Sequence, residues 1–231
     1  MLVKKIIKGI IRNYGIRQIR KYGFWFVDIP RTSSTSIKNE LAKIYGITYA
    51  KRKLGATGFD NLRYIFPCHL PAQQIRSIIG EELWERIFTF TFIRNPWDRM
   101  VSLFHYMKEQ GNLPEEVVFR DYVLQFNTPR YMLKSHAHSY HAYYYGLSEY
   151  VVDSDDNVIV DYIGRYENRM EDIRAISDKI SCQDLGNLCL QRIERSHKHY
   201  SEYYDDETKD VISRVFKRDI EMFEYSFQQE K

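Results

Sequence analysis

Phe24-Trp25-Phe26-Val27-Asp28-Ile29-Pro30-Arg31-Thr32-Ser33-Ser34-Thr35-Ser36-Ile37 decides how this chain is read. An apolar, aromatic run of strand length stops at Pro30, a hydroxyl-rich loop follows, and Lys38-Asn39-Glu40-Leu41-Ala42-Lys43 continues as a helix. The first N–H groups of a helix have no partner within it, and the helix dipole favours negative charge there. Strand, loop and helix N-terminus together therefore make an anion cradle. Ser33 and Ser34 are small enough for a phosphate to approach the backbone, Thr32, Thr35 and Ser36 add hydroxyl donors, and Arg31 adds a permanent forked cation. The plainer reading of the same residues is an N-capped helix after a strand, with Thr35 or Ser36 as the cap. A Walker A loop is ruled out, because GxxxxGK[ST] needs glycines and a Gly-Lys pair that are missing here.

Further along, the pattern repeats. Ile87-Phe88-Thr89-Phe90-Thr91-Phe92-Ile93 is a β-branched and aromatic strand that ends at Arg94-Asn95-Pro96, and a helix from Pro96 or Trp97 runs to Gln110 before Gly111. Arg94 at the strand end and Ser102 on the helix can face one anion, the first through a bidentate charge-assisted contact and the second through its hydroxyl. Asp98 and Arg99 are expected on the helix surface or in ion pairs. Two strand–loop–helix units imply a parallel sheet with its active residues at the C-terminal strand edges.

With 231 residues, 44% hydrophobic and 28% charged, the composition fits one well-packed α/β domain. The net charge of +3 is uneven: Lys4, Lys5, Lys8, Arg12, Arg17, Arg20 and Lys21 leave −4 on residues 22–231. A slightly acidic body argues against nucleic-acid binding. Cys68, Cys182 and Cys189 are odd in number and lack CxxC spacing, which suits free thiols in a reducing compartment and gives neither a disulfide framework nor a zinc site. No apolar run approaches the ~20 residues of a membrane span, and lysines interrupt the N-terminus before a signal h-region forms. A cytoplasmic location is the expectation. Val3, Ile6, Ile7, Ile10 and Ile11 recur at helical spacing among lysines, so residues 1–22 form a basic amphipathic segment ahead of a domain at 23–231. Two readings stand for it: a helix docked on the domain, or peripheral membrane contact through residues 1–21.

The rest divides at Gly and Pro punctuation. Residues 46–60, with Lys51-Arg52-Lys53, read as a surface connection. Tyr64-Ile65-Phe66 is a short strand leading to Cys68-His69-Leu70-Pro71, and helices follow at 72–79 and 81–85. Pro114 to Phe126 is a helix, 127–149 a Tyr- and His-rich loop, and 150–152 with 158–160 a hairpin. Tyr162 to Tyr166 is a strand, 167–180 a helix, and 206–223 a last long helix.

Ile29-Pro30-Arg31-Thr32-Ser33-Ser34-Thr35-Ser36 resembles the 5′-phosphosulfate loop of the sulfotransferase superfamily. Arg94-Asn95-Pro96-Trp97-Asp98-Arg99-Met100-Val101-Ser102 resembles its 3′-phosphate motif, RNPxxRxxS. The order and separation are similar to those in carbohydrate sulfotransferases related to heparan-sulfate 2-O-sulfotransferase and their bacterial relatives. Weaker echoes follow at 163–168 and 219–227. The resemblance implies a P-loop-like three-layer α/β fold, with a central mainly parallel sheet flanked by helices, that binds 3′-phosphoadenosine 5′-phosphosulfate (PAPS). It also implies in-line transfer of a sulfuryl group to a carbohydrate hydroxyl, with no metal demanded. Arg31, Thr32, Ser33, Ser34, Thr35, Ser36, Arg94 and Ser102 would then bind the donor. Arg31 would act catalytically where the family usually carries lysine, a change that touches rate more than binding.

His69 lies between the motifs, as a catalytic histidine does in the resembling enzymes, and a neutral imidazole accepts a proton near pH 7; its alternative is a buried or capping histidine before Pro71. His136, His138 and His141 have metal-like spacing but no nearby carboxylate, so an acceptor-facing lid is the better reading. His197, His199 and Tyr200 read either as a cover for the nucleotide or as a polar loop. Rival functions are a kinase-like phosphotransferase with a non-standard P-loop, disfavoured by the missing Gly-Lys pair, and an inactive nucleotide-binding module recruited to membranes.

Overall fold

Alternation along Phe88-Thr89-Phe90-Thr91-Phe92-Ile93 sends Phe90 and Phe92 to one side of a sheet and Thr89, Thr91 and Ile93 to the other, and helices cover both sides. A computed structural model describes residues 16–44, 69–126, 145–182, 185 and 198–228. The sheet has three strands, β1 (Phe24–Phe26), β2 (Phe88–Ile93) and β3 (Tyr162–Arg165), with β2 in the middle. Both pairings are parallel, with Phe26 opposite Phe90 and Ile93 opposite Arg165. Parallel neighbours need crossover connections, and the chain supplies helices for them. Helix α1 (Ser34–Ile44), α2 (Ala72–Ile79) and α3 (Glu81–Trp84) lie between β1 and β2, and α4 (Pro96–Glu109) and α5 (Phe119–Phe126) between β2 and β3. After β3 come α6 (Arg169–Lys179), α7 (Asp206–Val215) and α8 (Lys217–Met222).

The three-layer expectation holds in its packing. On one face Phe24, Phe26, Phe90 and Phe92 meet Ile37 and Leu41 of α1 and Ile173 and Ile176 of α6. On the other, Val27, Ile29 and Ile93 join Trp97, Met100, Val101 and Phe104 of α4 in the larger cluster. The phenylalanine face is tight at β3: a Cβ on Gly164 would come within 2.7 Å of the Phe92 ring, so only glycine fits there. Val27, Ile29 and Ile93, at the C-terminal ends of β1 and β2 where the two loops emerge, all belong to the larger cluster.

Most expected elements are present within a residue or two, and three differ. The helix expected from Pro114 begins at Phe119, after a turn in which Val117 N–H donates to the Pro114 carbonyl. The expected hairpin is reduced to one antiparallel bridge, Val152 to Val158, because residues 148–150 form a 3-10 turn and the Asp153 carboxylate draws in the N–H groups of Asp155 and Asn157. The last helix breaks at buried Phe216 (φ −108°, ψ 28°), and α8 then carries Asp219 inward. The segment 2–12, the strand at 64–66, Lys51-Arg52-Lys53 and His136, His138 and His141 lie outside the described residues. Residues 16–22, ahead of β1, are helical, with Ile19 buried in the core.

Candidate functional site

At the end of β1 the chain passes through Val27, Asp28 and Ile29 and turns at residues 30–33 into α1. Arg31 (φ 67°) and Ser33 (φ 77°) are left-handed, and Thr32 between them is not. Each left-handed non-glycine residue costs about 1 kcal/mol, a strain that clusters at functional loops. Alternating handedness turns successive N–H groups toward one side, the nest geometry that receives anions. It is completed by the N-terminus of α1, which begins at Ser34.

The side chains of the loop divide their work. Thr32 is fully buried and its hydroxyl donates to the Ile29 carbonyl at 2.9 Å, so it braces the turn and leaves only its backbone N–H for a ligand. Arg31 reaches across to α4, where its Nε and Nη2 donate to Ser102 Oγ at 3.1 and 2.8 Å, and its guanidinium stacks 4.6 Å from the Tyr106 ring centroid. Ser33 Oγ accepts from Arg169 Nη1 of α6 at 2.8 Å. Ser34 is buried, Ser36 half-buried and Thr35 exposed in the first turn of α1.

The second loop is built on a cap. Asn95 Oδ1 accepts from the N–H groups of Trp97 and Asp98, and Pro96 sits where a missing N–H costs nothing. Arg94 is buried, pairs through Nε with Asp98 Oδ2 at 2.9 Å, donates through Nη1 to the Arg31 carbonyl at 3.3 Å, and stacks on Tyr166 at 4.1 Å. Asp98 is thus in the expected ion pair, but neither it nor Arg99 is on the surface. Arg99 is 4% exposed and donates to the carbonyls of Pro30 at 3.1 Å and Tyr145 at 2.9 Å. Burial lowers its pKa, yet a guanidinium stays charged, so Arg99 is a cation fixed beneath the first loop.

His69 has a left-handed backbone (φ 62°) and its Nδ1 lies 3.2 Å from Asp28 Oδ2. Lys38 Nζ of α1 lies 2.6 Å from the same oxygen. His69, Arg31 and the 31–36 loop therefore lie around one strand end, and Ser102 and Arg94 join them through Arg31. Asp28, Lys38 and Arg169 are contributions the sequence reading did not single out. Asp28 had a signal, as the one acid in the apolar run from Phe24 to Ile29. Arg169 had another: it follows β3 as Arg31 follows β1. Tyr200 is turned into the core with its hydroxyl on the Phe227 carbonyl, which overturns its reading as a nucleotide cover. His199 caps the 3-10 turn Tyr200–Tyr203 by accepting from Ser201 N–H, and His197 lies outside the described residues. Among the described residues no group of three or more His, Cys, Asp or Glu could hold a metal, and no helix is long and apolar enough to cross a membrane.

Comparison with known proteins places this architecture. The sulfotransferase family profile matches residues 15–226. An uncharacterized protein of Archaeoglobus fulgidus is 34% identical over 117 residues, which cover 48% of this chain and 82% of the relative. No solved structure matches.

Proposed function

The chain belongs to the sulfotransferase family, and from that premise we propose that it transfers a sulfuryl group from PAPS to a hydroxyl of a carbohydrate acceptor. The observation that carries the reading is Arg31, whose two donors on Ser102 bind the first anion loop to the helix that follows the second. A nucleotide with phosphate at both its 5′ and 3′ positions needs two such loops side by side. On this reading residues 31–36 hold the 5′-phosphosulfate through backbone N–H groups and hydroxyls, and Arg94 and Ser102 hold the 3′-phosphate. Arg31 and Arg169 supply fixed positive charge as the leaving oxygen gains electrons. His69 accepts the proton of the acceptor hydroxyl. The acceptor oxygen bonds to sulfur while the bond from sulfur to the 5′-phosphate oxygen breaks, releasing adenosine 3′,5′-bisphosphate (3′,5′-ADP). The carbohydrate class of the acceptor follows the family resemblance of the two motifs.

Thermal unfolding with 3′,5′-ADP, against ATP plus magnesium, tests the donor. A ligand at 100 times its Kd stabilises the folded state by about 2.7 kcal/mol. The expected result is a rise in Tm with 3′,5′-ADP that Arg94→Ala abolishes, followed by turnover of PAPS against a panel of polysaccharides. A shift with ATP and magnesium alone would reject PAPS as the donor.

A further inference from the structure

Asp28 is 8% exposed, and a carboxylate buried to that degree persists as an anion only where charged donors surround it. Lys38 Nζ at 2.6 Å and His69 Nδ1 at 3.2 Å share its Oδ2. The same Nδ1 lies 3.2 Å from the main-chain carbonyl of Asp28. Both groups facing Nδ1 are acceptors, so the ring meets them only with its proton on Nδ1. A neutral imidazole has one such proton, which leaves Nε2 as the basic nitrogen.

Burial works to raise the Asp28 pKa, but the hydrogen bond and charge of His69, joined by Lys38, outweigh it and hold the carboxyl well below the usual range. His69 and Lys38 together thus keep Asp28 an acceptor; a protonated acid could donate and turn the ring. The neighbouring elements contribute Tyr150, whose phenol burial pushes up and so keeps protonated, and Arg99, whose charge acts on Tyr150. His69 itself has a left-handed backbone, a strained conformation for a residue other than glycine.

We propose that Asp28, ion-paired to Lys38, is the positioning residue of the transfer, fixing His69 with Nδ1–H toward the carboxylate and Nε2 as the proton acceptor. This rests on the PAPS reading for the identity of the reaction. As the acceptor oxygen bonds to sulfur, its proton passes to Nε2. The electron pair of the broken sulfur–oxygen bond leaves with the 5′-phosphate of the bisphosphate. The imidazolium then faces the Asp28 carboxylate, and its added proton goes to water after product departs.

The full chain labelled with nitrogen-15 histidine, its His69 signals assigned by their loss in His69→Gln, gives the tautomer by long-range proton–nitrogen correlation. The neutral ring is expected to carry its proton on Nδ1. A proton on Nε2 overturns the proposal whatever becomes of the PAPS reading, and this arm holds even if no Asp28 variant folds. In the second arm Asp28→Asn converts PAPS to 3′,5′-ADP with kcat reduced between about tenfold and 10⁴-fold, while the Kd for 3′,5′-ADP stays within about twofold. An unchanged kcat, or a matching loss of 3′,5′-ADP binding, overturns the positioning role. Wild-type protein that neither binds 3′,5′-ADP nor converts PAPS overturns the reaction itself, with the Asp28–His69 dyad still reported by its spectrum.

Discussion

Arg31 stands where the resembling enzymes carry lysine, and the difference is one of shape. An ammonium is a point charge, whereas the guanidinium delivers two N–H groups to Ser102 Oγ and lays its face on Tyr106. Arg31 is therefore aimed at α4, and its reach of 71 residues in sequence ties the two halves of the site together. Ser102→Ala removes the shared acceptor. Its expected cost in unfolding by urea is about 1.5 kcal/mol, the lower end for a hydrogen bond to a charged group. Calorimetric binding of 3′,5′-ADP should weaken about tenfold, or 1.4 kcal/mol; unchanged binding would remove Ser102 from the nucleotide site. Asp28 leads to a pH effect. Its folded pKa is depressed, so the stability it contributes is present in full above the ordinary carboxylate value and fades as pH falls toward the lowered folded value. Asp28→Asn should melt below wild type at neutral pH, and below about pH 4 the gap should close by about 1.4 kcal/mol per pH unit. A gap of constant size from pH 6 to 3 would mean that the lost stability is packing and not charge.

Among the elements, α4 has its start specified most fully. Asn95 accepts from two helix N–H groups, donates Nδ2 to the Ser226 carbonyl at 3.0 Å, and donates its own N–H to Glu167 Oε1 at 2.7 Å. Asn95→Ala should cost about 2 kcal/mol, at the upper end for a lost cap because the link to the C-terminal segment goes with it. Circular dichroism during urea unfolding would check this, and a loss under half a kilocalorie would show that water replaces the cap. The same Asn-Pro pair marked the helix start in the sequence, as the abrupt end of Phe88–Ile93 marked β2. These elements were legible because their signals are local: a turn residue, a cap, a period of two. What was not legible depends on partners far along the chain. Arg99 follows Asp98 on a helix and looks like a surface charge until Pro30 and Tyr145 are brought over it. The split between α7 and α8 has no glycine or proline to announce it, and follows from where Phe216 and Asp219 must point. Likewise Lys38 reads as a solvated helix residue until Asp28 is placed beneath it. Arg169, on the first turn of α6, belongs with these. Arg169→Ala should lower kcat/KM for PAPS about tenfold with little change in Tm, since Ser33, to which it donates, belongs to the loop and not to the core. A fall in Tm with an unchanged kcat/KM would make it a strut for α6.

Across the whole molecule, the C-terminal helices are coupled to the site by a short series of contacts. Asp219 of α8 is 1% exposed and accepts from the N–H groups of Leu147 and Ser148 at 2.6 and 2.9 Å and from Ser148 Oγ at 2.6 Å. The approach is close enough that a Cβ on Gly146 would lie 2.8 Å from Asp219 Oδ1, so this glycine admits the carboxylate. Next in line, the Tyr145 carbonyl receives Arg99, and Arg99 holds the Pro30 carbonyl at the mouth of the first loop. Asp219, Ser148 and Arg99 are buried, so loosening one end leaves buried donors unsatisfied. Asp219→Asn keeps the shape and removes the charge, leaving one carbonyl oxygen to serve three donors. It should lower stability by about 1.5–3 kcal/mol, the range for hydrogen bonds to charged groups. It should also weaken 3′,5′-ADP binding, although Asp219 does not itself touch the loop. An exposed pair supplies the contrast: Arg86 and Glu82, 3.0 Å apart on the surface, are held mostly in water, and Glu82→Gln should change neither quantity. If Asp219→Asn lowered Tm while leaving 3′,5′-ADP affinity intact, the C-terminal helices would be packing for the core alone. A joint loss would make them part of the frame that keeps Pro30 and Arg31 in their strained turn.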